Sequence, residues 1–315
     1  MEDDRFERVV AVKERLPVLL VDGNSTGGFF ERAAGFTALA LAPSGELVRG
    51  GSPAEGYLMD PRVVAAPEIP AVSDLDRYRV IVLADVPRLP ARTADRMASF
   101  VAGGGGLLVL TGPRADSDFY NAWDGPDGPL SPLVLGGLET DAEGLKPAPA
   151  TFDHESLILF ADEKSSDLGD ATVNGFRTVE EVAKGAAVAA RLSNGEPLMG
   201  SRNYGQGRIL MTTSGFDSRT GNLATRRSFV PLVHELVTWL AGAGQVDLNV
   251  EASWSPALAL PGGGGLFGRY YRSKDVRRGI ALERIDPTIH FDWAGDQPYR
   301  GMNRDNFRIR WEGYL

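Results

Sequence analysis

The sequence contains no cysteine and only three histidines. The first absence removes disulfides, thiolate metal sites and cysteine nucleophiles together, and leaves the redox compartment open, since such a chain suits oxidising and reducing spaces alike. The second leaves His154, His234 and His290 too scattered to form a recognisable metal site. Long apolar runs are missing too. The longest, such as Val80–Ala84 and Leu107–Leu110, fall far short of the roughly 20 residues a membrane helix needs, so no membrane span is expected. Met1 is followed by Glu-Asp-Asp rather than by a basic region and an apolar run, so the start lacks a signal-peptide pattern. No basic stripe with interleaved aromatics appears in the main body. The net charge of −9 is uneven, with Leu266–Leu315 near +3 and the rest near −12. An acidic body repels phosphate backbones, and nucleic acid is not an expected partner.

What is present reads as a soluble globular chain whose 315 residues make two units the starting expectation. Val18–Asp22 (VLLVD) is a short apolar run ending in an acidic turn, and Phe29–Leu41 then places Phe29, Ala33, Phe36 and Ala40 at helical spacing. Arg79–Asp85 (RVIVLAD) is a second buried strand, followed by a helix from about Ala91 with Met97, Phe100 and Val101 on one face. Gly103–Gly106 fits a helix-ending turn that leads into a third strand, Leu107–Thr111. Alternating helices and all-apolar strands imply a mostly parallel sheet covered on both faces. Ala187–Leu192, Pro197–Arg202 and Arg208–Thr213 are separated by the Asn194-Gly195 and Gly205-Gln206-Gly207 turns, which predicts antiparallel strands extending one sheet edge. Ser228 is placed to N-cap a closing helix whose Phe229, Val230, Val233, Leu236, Val237 and Leu240 form an apolar stripe. The expected organisation is therefore the end of an upstream segment (1–15, with strand-like Arg5–Val12), an α/β domain (16–243), a Gly/Pro-rich linker (244–265) and a β-rich segment (266–315).

Several residues carry candidate chemistry. Gly23-Asn24-Ser25-Thr26-Gly27 matches G-x-S-x-G between a strand and a helix, where a tight turn exposes a serine nucleophile; the alternative is a plain βα turn of small residues. His234 is the late histidine available as its base, but lies off the apolar stripe and reads as a solvated surface residue. His154, in FDHES, reads as structural. Asp22 and Asp85 each end a parallel strand, where open α/β sheets place their ligand crevices, and Asp116 and Asp118 are candidates to join them. Such carboxylates hold Mg²⁺ or Ca²⁺ in some sites, or simply cap helices and meet solvent in others. Gly263–Gly268 satisfies G-x-G-x-x-G without the strand and helix that a dinucleotide site requires. No cofactor and no metal are expected.

The succession LPVLLVDGN, YRVIVLADVPRLP, FVAGGGGLLVLTG, YNAW, LSPL, GQGRILMTTSGFD and FVPLVHELVTWLAG, over about Leu16–Ala243, resembles the glutamine-amidotransferase-like domain of aerotolerance-type bacterial membrane proteins that also carry von Willebrand factor A modules. The resemblance implies a flavodoxin-like, three-layer class I amidotransferase fold, with a mostly parallel sheet and antiparallel edge strands, and an extracytoplasmic or cell-surface location. Active members of that superfamily place a cysteine after a central strand, where Thr111, Gly112 and Pro113 stand here. Related trehalose-utilisation-type domains have Gly-His after a segment like GQGRILMTTS, and here Gly215-Phe216 replaces it. Both departures imply a pseudoenzyme. In the tail, GLFGRYYRSKDVRRG, IDPTIHFDW and DNFRIRWEGYL are similar to the opening half of a PA-fourteen domain, a protective-antigen-like β-sandwich that often binds glycans. Independently, Tyr270, Phe291, Trp293, Phe307 and Trp311 suit the core of a β-sheet.

The resulting expectation is a non-catalytic scaffold or binding module of a larger envelope protein. Its partners would be other domains of the same polypeptide and, through a completed C-terminal domain, glycans. The rival readings are a hydrolase or metal-dependent enzyme using Ser25, Asp22 and Asp85, and a small-molecule sensor at the same sheet rim.

Overall fold

The computed structural model describes residues 15–43, 57–242, 266–271, 280–286 and 308–312. The chain divides into two compact units, Val12–Gln245 and a second comprising Met1–Ala11 with Val246–Leu315. The expected strand Arg5–Val12, the linker 244–265, and Phe291, Trp293 and Phe307 lie outside the described residues.

In chain order the first unit carries β1 (Leu16–Asp22), α1 (Ala33–Leu41), β2 (Met59–Ala65), β3 (Val80–Ala84), α2 (Ala91–Ala102), β4 (Gly106–Leu110) and α3 (Ser117–Asn121). These are followed by the two-residue β5 (Asp124–Gly125) and β6 (Gly128–Pro129), then β7 (Leu133–Leu145), β8 (Val173–Val182), β9 (Ala187–Arg191), β10 (Pro197–Tyr204), β11 (Gly207–Thr212) and α4 (Phe229–Ala241). Seven strands form one sheet in the order β2-β1-β3-β4-β11-β10-β9. The first five are parallel, and β10 and β9 continue as antiparallel hairpins. This is an α/β flavodoxin-like arrangement, with the doubly wound order 2-1-3-4-5 when β11 is counted as the fifth strand.

The layering follows from side-chain alternation. Val18, Leu20, Val80, Val82, Leu108, Leu110 and Leu210 join one apolar cluster with α1 and α4, while Leu19, Val21, Ile81, Leu83, Leu107, Val109, Ile209 and Met211 join another with Met97, Phe100 and Val101 of α2. Every residue of β3 and β4 is buried, as strands covered on both faces must be. The α1 residues Ala33, Ala34, Ala38 and Ala40 are small, which lets this helix pack closely on α4.

Several expectations are corrected. Phe29–Leu41 is not one helix: a single turn, Phe29–Glu31, is separated from α1 by Arg32 in extended conformation. Val230 is 44% exposed, and Leu232 takes its place in the buried stripe. His234 is half-buried rather than solvated, with Nε2 3.0 Å from the Ala40 carbonyl. Ser228 occupies the N-cap position of α4, but its hydroxyl accepts from the Asp167 N–H at 3.2 Å, and the Asp167 carboxylate instead accepts the N–H groups of Arg227 and Ser228 at 3.1 and 3.0 Å. Two features were not anticipated, the edge strand β2 and a separate antiparallel ribbon of β7 with β8. Pro61 in β2 is tolerated because that strand lies at an edge.

In the second unit β12 (Leu266–Tyr271), β13 (Ile280–Asp286) and β14 (Arg308–Glu312) form an antiparallel sheet in the order β13-β12-β14. Tyr270 is fully buried, as its aromatic character suggested. β14 lies within the DNFRIRWEGYL stretch, and Gly268 lies inside β12. Among the described residues no helix is long and apolar enough to cross a membrane.

Candidate functional site

The carboxyl ends of β1, β3, β4 and β11 converge on one rim. The connection after β1 leads to α1 on one face and that after β3 leads to α2 on the other, so the ends of these adjacent strands form the topological switch point of the sheet.

Asp22, the last residue of β1, is 1% exposed. Its Oδ1 accepts the Asn24 N–H at 2.9 Å, which folds Gly23–Gly27 back on the strand, and its Oδ2 pairs with Arg32 at 2.6 Å. Arg32 is extended because this ion pair draws it toward the rim.

Asp85 follows β3 directly and has φ 51°, the left-handed region that asparagine and aspartate tolerate better than most residues. Its carboxylate is buried, with Oδ1 accepting the Arg114 N–H at 2.8 Å and Oδ2 accepting from Arg219 Nη2 at 2.7 Å. Neighbouring backbone approaches so closely that only glycine fits beside it. A Cβ on Gly112 would sit 2.5 Å from Asp85 Oδ1, and one on Gly23 would overlap the Asp85 carbonyl. Burial pushes the Asp85 carboxyl above the usual range, against the opposing pull of Arg219 and the Arg114 N–H.

Arg219 is shared. Its Nη2 lies 2.7 Å from both Asp85 and Asp217, and its Nε donates to Asp217 Oδ1 at 3.1 Å. Burial acts to lower the Arg219 pKa, and the two carboxylates outweigh it, so the guanidinium is held charged. The loop bearing these residues is fastened to the connection after β1 by the Ser218 N–H, which donates to the Phe30 carbonyl at 2.8 Å. Across the top, Arg114 Nη1 donates to Asn24 Oδ1 at 3.2 Å, spanning from the loop after β4 to the turn after β1.

The structure thus brings Asp22, Asp85 and Gly112 of the anticipated residues to one rim, and treats the others differently. Thr111 is fully buried and its hydroxyl donates to the Thr212 carbonyl at 2.6 Å, so it faces main chain. Asp116 caps α3 by accepting the Asp118 and Phe119 N–H groups at 3.1 and 3.4 Å, and pairs with Arg88, whose hydrogen bond holds its carboxyl below the usual range. Asp118 is exposed and takes no part in the cluster. Ser25 is exposed, and among the described residues nothing hydrogen-bonds its hydroxyl. Neither described histidine reaches it: His234 is on the Ala40 carbonyl, and His154 packs on Trp239 at 4.6 Å with Nδ1 2.9 Å from Ser156 Oγ. Burial lowers the His154 pKa. Phe216 is buried edge-to-face against Phe229. No group of three His, Cys, Asp or Glu residues able to hold a metal ion occurs among the described residues.

The sequence reading missed Arg32, Arg114, Asp217 and Arg219. Asp217 and Arg219 lie in the loop after β11, beyond Thr213–Phe216, so the argument that singled out the residues ending β1 and β3 comes near them only once β11 is placed beside β4.

No family model matches the chain. Over 51 residues, 16% of its length, it is 41% identical to an anti-sigma-I factor of Acetivibrio thermocellus, and it spans 8% of that protein. Among solved structures it is similar to a cytoplasmic protein from Salmonella typhimurium, with a TM-score of 0.49, 16% identity, and coverage of 71% of this chain and 98% of that one. A protein from Parabacteroides merdae named ThuA-like gives a TM-score of 0.40 at 16% identity, covering 76% of this chain and 94% of its own. A β-galactosidase from Rahnella gives 0.48 at 15% identity over 73% of this chain but 32% of the enzyme.

Proposed function

We propose that the α/β unit is a non-catalytic scaffold or binding module of a multidomain protein. The observation that carries this reading is the ion-pair cluster: the buried carboxylates Asp22, Asp85 and Asp217 are all paired, the first with Arg32 and the other two with the shared Arg219. A carboxylate already engaged by a guanidinium makes a poor general base or metal ligand. The position that would supply an amidotransferase nucleophile holds Thr111, with its hydroxyl committed to main chain, and Ser25 has no described base beside it. As part of the same proposal, β12–β14 belong to a PA-fourteen-type sandwich that binds glycans at the cell envelope, a reading supported by their antiparallel pairing and by buried Tyr270.

The test is to incubate the purified chain with glutamine and with ester and amide substrates, following ammonia, acid or amine release. No turnover is expected. Activity that disappears in Ser25→Ala overturns the scaffold reading in favour of a hydrolase. For the tail, the chain extended through a complete sandwich is expected to bind a glycan array, and a blank array removes the glycan part.

A further inference from the structure

The crossover from β2 to β3 covers the sheet sparsely. A connection between parallel strands usually carries an α-helix, but here Ala66–Ala71 holds Pro67 and Pro70 within six residues and forms only a short 3-10 helix, with Ile69 as its one buried residue. β2 is the edge strand, and between it and this connection lies a hollow of about 250 Å³. Val64, on the face of β2 that joins the α2 cluster, gives the hollow apolar surface together with Val72 and Tyr78 of the connection. Arg62, two residues before Val64 and therefore on the same face of the strand, lines it too, as does Glu68 of the 3-10 helix.

Arg62 and Glu68 are exposed, and among the described residues neither forms an ion pair, with the other or with a third group. Arg62 Nη1 donates to the Tyr78 hydroxyl at 3.1 Å, and Tyr78 is only 8% exposed, so the guanidinium is steadied at one end while its other donors stay open. Glu68 Oε2 accepts the Ala65 N–H at 3.3 Å, which holds the carboxylate at the start of the 3-10 helix and leaves Oε1 open. The other two charges on the hollow, Asp74 and Arg77, are exposed and meet at 3.9 Å, a pair that water screens. The four charges cancel, so a simple anion or cation would meet one repelling group for each attracting one. A molecule bearing both charges on a small apolar body meets an open guanidinium, an open carboxylate and apolar surface. The volume, below the roughly 300–1,000 Å³ of pockets for drug-sized ligands, limits it to amino-acid size.

We propose that the hollow between β2 and the β2–β3 crossover binds a free α-amino acid with a small apolar side chain, its carboxylate on Arg62 and its ammonium group on Glu68. This deepens the binding-module reading and rests on it.

The experiment titrates the full chain by calorimetry with L-alanine, L-valine and L-leucine, and with propionate and ethylamine, each of which keeps one of alanine's two charged groups. Saturable binding of at least one amino acid is expected, with propionate and ethylamine at least about tenfold weaker, because each forfeits a charge-assisted hydrogen bond. Arg62→Gln and Glu68→Gln are each expected to weaken the amino acid by at least about tenfold for the same reason. Both side chains are exposed, so the fold is retained, and glutamine at position 68 keeps an acceptor for the Ala65 N–H. Arg92→Gln removes an exposed charge of α2 that does not line the hollow and is expected to bind like the parent. No saturation by any of the three amino acids, equally tight binding of propionate or ethylamine, or parent-like binding by Arg62→Gln or Glu68→Gln overturns the proposal. With glutamine and ester turnover absent, such a result leaves the scaffold reading standing. Turnover instead sinks the non-catalytic reading, and the titration still decides amino-acid binding.

Discussion

Replacing Arg219 by methionine tests the cluster that organises the rim. The substitution leaves the methylene stem roughly intact but strips the counter-charge from two carboxylates that are nearly inaccessible, Asp85 at 1% and Asp217 at 2%. Removing one partner of a buried pair typically destabilises by about 3–5 kcal/mol. The Arg219 side chain is 22% exposed, so water screens part of the interaction and we expect the lower end, about 3 kcal/mol. For a domain of this size that corresponds to a fall in Tm of roughly 6–12 °C. The loss also depends on pH, with a sign that follows from Asp85. Its folded pKa is already raised by burial, and removing Arg219 raises it further. A carboxyl whose folded pKa exceeds its unfolded value contributes fully below the unfolded pKa, and that contribution is lost as pH rises through the folded pKa. The deficit of the variant is therefore small in acid and largest at neutral and alkaline pH. Urea unfolding at about pH 5 and about pH 8, followed by far-UV circular dichroism, measures it. Adding Asp85→Asn to the variant is expected to recover part of the loss at the higher pH. A deficit under about 1 kcal/mol, or one equal at both pH values, refutes the assignment of Arg219 as the counter-charge.

Gly112→Ala is expected to destabilise by about 2 kcal/mol or more, because the added methyl collides with a carboxylate fixed from both sides, and calorimetric unfolding would reveal it. Asp167→Ala removes the acceptor at the start of α4 and is expected to cost about 1–2 kcal/mol at neutral pH. Burial acts to raise the Asp167 pKa, but hydrogen bonds from Ser228 and Arg227 outweigh it and hold the carboxyl below its ordinary value. The contribution is thus present above the unfolded pKa and lost as pH falls through the folded one, so parent and variant should converge in acid. Adding Mg²⁺ or Ca²⁺ is expected to leave Tm without a saturable rise; a rise that Asp22→Asn abolishes would show a metal site at the rim.

The sequence displayed the central strands because β1, β3 and β4 are buried on both faces and read as unbroken apolar runs. The hairpins of β9–β11 were equally legible, since glycine-containing turns punctuate short strands. β2 was hidden because Met-Asp-Pro-Arg-Val-Val-Ala mixes polar residues with a proline that only an edge permits. β7 and β8 were hidden because much of their length is exposed, which removes the alternation that marks a half-buried strand. Of the site, Asp22 and Asp85 followed from strand ends alone. Arg32 lies only 10 residues past Asp22, but Arg219 comes from a loop 134 residues beyond Asp85, and no local pattern encodes that second pairing. The cap on α4 was misread for the same reason, because a remote aspartate competes successfully with the local serine.

The placement of β11 beside β4 bears on how the chain emerges from the ribosome. Thr111 and Thr212, which meet at the ends of these two strands, are 101 residues apart. At about 5–20 residues per second, β4 waits roughly 5–20 s for its second neighbour. The nascent sheet can assemble β2, β1, β3 and β4 in that interval, but the outer edge of Gly106–Leu110 then offers unpaired backbone on an apolar strand. Such an edge is a template for a neighbouring nascent chain. Translation that stalls between β4 and β11 should therefore yield aggregates rather than a folded half-domain, whereas a chain carried through Thr212 closes the gap with its own strand.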